Sequence, residues 1–77
     1  MYTVTIYDKS KKVFKSYRFI RSIKYFDLSD GQWITVSEND ILSHEFPMDC
    51  TYQLLSETAN YNIDKGIIGS IEIEKET

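Results

Sequence analysis

Apolar and polar residues alternate with a period of two near both ends of the chain. Tyr2, Val4 and Ile6 interleave with Thr3, Thr5 and Tyr7, and Ile71 and Ile73 interleave with Glu72 and Glu74. Side chains of a strand point alternately to opposite faces, so both runs predict half-buried strands, over residues 2–8 and 67–75. Residues 22–42 hold the clearest turn signal. Asp30-Gly31 separates two runs rich in β-branched and aromatic residues, and Asp-Gly suits the positive φ angles of a two-residue type I′ hairpin turn. Such a turn sets Leu28 opposite Trp33, Asp27 opposite Ile34, Phe26 opposite Thr35 and Tyr25 opposite Val36. One face then carries Ile23, Tyr25, Ile34 and Val36, and the other Phe26, Leu28 and Trp33 beside Lys24 and Thr35. A hairpin with one wet face alternates more cleanly than this. Either residues 49–63 cover the Trp33 face as a second layer, or that face is presented to a partner.

The remaining stretches are less regular. Asp8-Lys9-Ser10-Lys11 begins with an Asp able to bond the backbone two residues on, which predicts a tight turn. Residues 12–26 run without Gly or Pro, and their apolar positions form no single stripe at helical spacing. Two strands, or one sharply bent strand, are expected there, divided near Arg21-Ser22, although no turn residue marks the place. Ser37 and Asp40 have the spacing of a capping box and predict one short helical turn. Pro47 lacks an amide hydrogen and interrupts any ladder. Around residues 50–60 two patterns overlap: Cys50, Tyr52 and Leu54 alternate as in a strand, while Tyr52, Leu55 and Ala59 recur at helical spacing. Strand is preferred and helix is the alternative. Asp64-Lys65-Gly66 reads as a turn with Gly66 in the left-handed region. The expected fold is therefore mainly β, or α+β if residues 50–60 are helical: a small antiparallel sheet or barrel of five to six short strands.

Composition narrows this picture. At 77 residues, 42% apolar and 14% aromatic, the chain suits one packed domain near the lower size limit for independent folding. Cys50 is the only cysteine of the sequence, so no disulfide within the chain holds it together. There is no apolar run long enough to span a bilayer, and the residues after Met1 lack the basic and apolar regions of a secretion signal. A soluble cytoplasmic protein without membrane contact is expected.

Charge is distributed unevenly. Residues 1–26 carry seven cations against Asp8 alone, residues 27–77 carry Lys65 and Lys75 against eleven acids, and the net charge is -3. The two halves either neutralise each other in the fold or serve separate partners. Glu72 and Glu74 of the last strand are placed to lie across from lysines of the second.

Candidate chemistry is sparse. Cys50 and His44, with Asp49 and Glu45 nearby in sequence, resemble a thiol nucleophile and base, but nothing supplies an oxyanion site, and Cys50 reads better as a small buried apolar residue. The same pair leaves a zinc site two ligands short. Asp27, Asp30, Glu38 and Asp40 lack the loop pattern of a calcium site, and Gly66 and Gly69 lack the Lys-Ser or Lys-Thr of a phosphate loop. No enzyme, metal or cofactor is expected. The favoured function is a protein-binding module, an accessory or inhibitor protein, acting through an acidic surface or the patch of Trp33, Phe26, Leu28 and Lys24. Its partner is another protein or a second copy of the chain. The alternative is single-stranded nucleic acid bound by the basic and aromatic segment from Lys11 to Phe26, through Lys12, Lys15, Arg18 and Arg21.

Overall fold

Strands form where β-branched and aromatic residues alternate, and the computed structural model, which describes residues 1–76, contains seven of them. They are β1 Tyr2–Tyr7, β2 Val13–Ile20, β3 Ser22–Asp27, β4 Gln32–Val36, β5 Tyr52–Leu55, β6 Asn60–Ile63 and β7 Ser70–Lys75. Two antiparallel sheets result: sheet A in the order β2-β1-β7 and sheet B in the order β4-β3-β5-β6. The mainly β class is as expected, in the open-sheet rather than the barrel form. Residues 52–55 are strand, so the helical alternative for residues 50–60 does not form. The additional strand is β6, whose Asn60 and Asn62 give it low strand propensity.

Side chains of both sheets meet in one core. Val4 and Ile6 of β1, Ile23 of β3, Tyr52 and Leu54 of β5, and Ile63 of β6 are all buried there. Alternation places them: each lies two positions along its strand from another inward residue. Ile71 and Ile73 face inward from β7, paired with Ile6 and Val4, and are half-buried.

One long run supplies both sheets. β2 pairs with β1, β3 pairs with β5, and the break between them falls at Arg21, as the sequence suggested. The corner needs no glycine, because Phe19 itself takes a left-handed φ of 61°, an unfavourable state for an aromatic residue. Its N–H donates to the Glu76 carboxylate at 2.8 Å, which also accepts from the Thr3 hydroxyl at 2.8 Å. The pairing of β1 with β2 slips by one residue in this region, and such a bulge turns a strand from one sheet into the next.

The turns follow side-chain chemistry, with three differences from expectation. Asp8 accepts from the Ser10 amide at 2.9 Å, as its type predicts. The β3–β4 hairpin, however, closes with four residues, 28–31, not two: Phe26 pairs with Trp33 and Lys24 with Thr35. Asp27 accepts from the Ser29 amide at 2.9 Å and Gly31 alone takes positive φ, 65°, so the Asp27 side chain widens the loop. The register thus moves by two residues, which removes the Leu28–Trp33 pair but leaves every strand residue on its expected face. Gly66 is not in the left-handed region, since Gly31 is the one described glycine with positive φ; the Ile67 amide closes that turn on the Asp64 carbonyl at 3.0 Å. At Glu38–Asp40 a 3-10 turn forms, but the Ser37 hydroxyl donates to the Asp40 carboxylate and not to the helix amides.

Gly69 meets a steric requirement of its own. A Cβ on it would stand 2.2 Å from the Asp8 carbonyl oxygen, and its amide donates to the Tyr7 carbonyl at 2.7 Å. Only glycine admits this approach of the loop before β7 to the end of β1.

Candidate binding surface

Outward positions alternate with the core positions along the strands of sheet B. They hold Lys24 and Phe26 on β3, Trp33 and Thr35 on β4, Gln53 on β5 and Asn62 on β6. Register aligns them in rows. Thr35, Lys24, Gln53 and Asn62 form one row across the sheet, and Trp33 with Phe26 forms the next. No Asp or Glu occupies an outward position on these four strands.

Trp33 is 42% exposed, so residues 49–63 do not cover it. Those residues instead form β5 and β6 in the same sheet, beside the hairpin and not over it. The Trp33 ring meets Phe26 edge-on, centroids 5.5 Å apart, and the Lys24 ammonium lies 5.9 Å from its centroid. This geometry lets the quadrupole of the indole attract both the ring edge and the cation. Leu28 lies in the turn, 61% exposed, and is no longer the cross-strand neighbour of Trp33. Of the expected patch, Trp33, Phe26 and Lys24 are brought together. Gln53 and Asn62 extend the surface and were missed, although the alternation of Asn60 and Asn62 with Tyr61 and Ile63 signals an outward pair.

The basic segment is divided by its own strand geometry. Lys15 shares the side of Tyr17, with its ammonium 5.3 Å from that ring, while Ser16 turns the other way to meet Thr5. Arg18 lies over the Phe19 ring at 5.0 Å. Arg21 is taken up by acids, at 2.6 Å from Glu57 and 3.7 Å from Glu38. Lys12 is exposed at the approach to β2. Among the described residues, Arg21 is the one Lys or Arg side chain of residues 1–26 within ion-pair distance of a carboxylate, and the Met1 ammonium joins it at Glu38 at 2.7 Å. β1 lies between β2 and β7, and Glu72 and Glu74 stand opposite Thr5 and Thr3, so the expected pairing of β7 acids with β2 lysines does not occur. Phe14 and Phe19 are 48% and 51% exposed beside the uncovered cations.

Cys50 and His44 hydrogen-bond to different partners. Cys50 is buried, its thiol bonded to the Met48 carbonyl at 3.5 Å, and burial pushes that thiol above its ordinary pKa, with Asp27 and Asp49 adding to the effect. A reactive cysteine requires the opposite shift. His44 Nε2 and the Tyr25 hydroxyl share a hydrogen bond of 2.9 Å. Among the described residues no group of three or more His, Cys, Asp or Glu side chains is arranged to hold a metal ion. Nor is any described helix long and apolar enough to cross a membrane.

The fold and surface together define a small two-sheet β domain with an exposed aromatic cluster and surface ion pairs. Comparison with protein-family models, curated proteins and solved structures gives no match to this chain.

Proposed function

We propose that the outward face of sheet B is a protein-binding surface and that the protein is a non-enzymatic binding module. The observation that carries this reading is Trp33, exposed and braced by Phe26 on a face without carboxylates. Interface centres are depleted in charge and enriched in aromatic residues, and Trp is the side chain most often found as a hot spot. Thr35, Gln53 and Asn62 supply a polar surround able to exchange water for partner hydrogen bonds. The burial of the Cys50 thiol, which pushes it above its ordinary pKa, supports the non-enzymatic reading, and a lone free cysteine fits a reducing, cytoplasmic setting.

Capture of partners from a nuclease-treated cell extract tests the proposal. Trp33→Ala is expected to abolish capture while the folded state persists. Undiminished capture by that variant overturns the reading.

A second reading rests on Phe14 and Phe19, exposed beside Lys12, Lys15 and Arg18, which supports binding of single-stranded nucleic acid. Counterion release then makes affinity fall steeply with salt. A salt-independent response, or no binding at low salt, removes this alternative.

A further inference from the structure

Each sheet has two edge strands, and an unpaired edge is a template for another strand. Three of the four edges here are protected. β2 carries Lys15 and Arg18 and is bulged. β7 carries Glu72, Glu74 and Lys75. β6 has four residues, with Asn at two of them. β4, Gln-Trp-Ile-Thr-Val, has no charge, its pairing with β3 has no register slip, and its residues favour strands.

The hydrogen-bonding phase of β4 can be read from its neighbour. Phe26 donates its amide away from β4, to the Thr51 carbonyl at 3.1 Å, whereas the Asp27 carbonyl accepts from Gly31 on the β4 side at 2.8 Å. Antiparallel partners alternate between bonded and non-bonded pairs, so Asp27–Gln32, Tyr25–Ile34 and Ile23–Val36 are the bonded pairs of the β3–β4 ladder. Trp33 and Thr35 therefore turn their N–H and C=O groups to the open edge. Among the described residues no turn or loop segment takes up those groups.

We infer that the occupant of this edge is a second copy of the chain, joined β4 to β4 about a two-fold axis through Ile34. This goes beyond the reading of the Trp33 face as a protein-binding surface, because the pairing uses the edge of sheet B and leaves that face open. Two-fold pairing sets a strand against an antiparallel copy of itself, so charges of one sign on the strand are brought near those of the copy and repel. That repulsion disfavours self-pairing of β2, with its cations, and of β7, with its glutamates. β4 is uncharged and incurs none. Of the registers this phase allows, an axis through Ile34 uses both outward residues: Trp33 bonds to Thr35 of the second copy and Thr35 to its Trp33, about four hydrogen bonds in all, with the two Ile34 side chains facing each other. Ile34 is half-buried at the rim of the core, and pairing covers its exposed part. The two sheets B become one continuous sheet, with both Trp33–Phe26 clusters on the same face. A five-residue edge buries less than the roughly 1,000 Å² expected of a stable interface, so the dimer is a weak, concentration-dependent one.

Sedimentation of the purified chain from micromolar to about millimolar concentration, with amide exchange read in parallel, tests this. Mass is expected to double, and exchange at the Trp33 and Thr35 amides to slow, as concentration rises. Thr35→Pro removes an outward N–H, which edge strands tolerate, and is expected to remain folded and monomeric. Ile34→Lys, which opposes like charges at the axis, is expected to do the same. A wild-type chain that stays monomeric throughout overturns the second copy as occupant, and the face reading then stands or falls on capture by Trp33→Ala. A monomer whose capture of a foreign protein is lost in Thr35→Pro assigns the edge to a strand of that protein instead. A dimer that persists in both variants forms elsewhere and also overturns the inference.

Discussion

Two aromatic clusters share strand β3 on consecutive residues, and they differ in almost everything except geometry. Tyr25 faces inward, its ring 5.7 Å from Tyr52, which lies 6.2 Å from Phe46. Phe26 faces outward, 5.5 Å from Trp33. The inner rings are buried or half-buried, and their polar tips are satisfied: the Tyr52 hydroxyl donates to the Pro47 carbonyl and Tyr25 bonds with His44. The outer pair has no layer above it. Aromatic content and ring spacing thus say little about a cluster's role. What separates the two is the chain after β4, which folds back over the inner face and leaves the outer one bare.

Substitutions in the two regions should differ accordingly. The largest effect is expected within the inner face, where Leu54 is fully buried beside Tyr52. Leu54→Ala should cost about 2–5 kcal/mol, measured by denaturant unfolding. A loss as small as that of a surface substitution would show that the inner layer is loosely packed. Tyr52→Phe should cost about 1–3 kcal/mol, because it leaves the Pro47 carbonyl without its donor. Burial pushes the Tyr52 hydroxyl well above its ordinary pKa, so it stays protonated and donating throughout the neutral range.

The outer cluster should respond weakly. Trp33→Ala should cost about 1 kcal/mol, the scale of its aromatic pair with Phe26. As the sole Trp, Trp33 should emit at long wavelength and be quenched readily by acrylamide. Blue emission with slow quenching in a verified monomer would break the comparison. The smallest effect concerns Glu76, whose pKa is lowered by the Phe19 amide first and by the Thr3 hydroxyl as well. A carboxyl with a depressed folded pKa stabilises the fold above its ordinary value of 4.5 and loses that contribution as pH falls through the folded value. Glu76→Gln should therefore flatten the stability profile below about pH 4.5 and leave it unchanged in shape near neutrality, as read from unfolding at a series of pH values.

Much of the sheet structure was legible because it depends on alternation. The faces of β3 and β4 follow from residue parity, and parity survived a hairpin loop twice the expected length. The length itself was not legible. Asp30-Gly31 marked the turn, but the Asp27 side chain, three residues upstream, bonded into it and enlarged it. The corner at Phe19 left no local signal either, since its left-handed backbone is held by Glu76, 57 positions away. Of the candidate site, Trp33, Phe26 and Lys24 were found from pattern alone. Gln53 and Asn62 joined them only once β5 and β6 were known to flank β3.

The sequence by itself determined most of the strands, the inward and outward residues of β1, β3, β4 and β7, and the unequal charge of the two halves. Local sterics and hydrophobic period are properties of neighbouring residues, and neighbouring residues were available to read. Tertiary structure alone decided the rest. It interposed β1 between the cations of β2 and the acids of β7, set β5 beside the hairpin and not over it, and left β4 as an uncharged edge. Those outcomes depend on which strands pair across long separations, and pairing is fixed by the burial of a whole face at once, not by any segment taken alone.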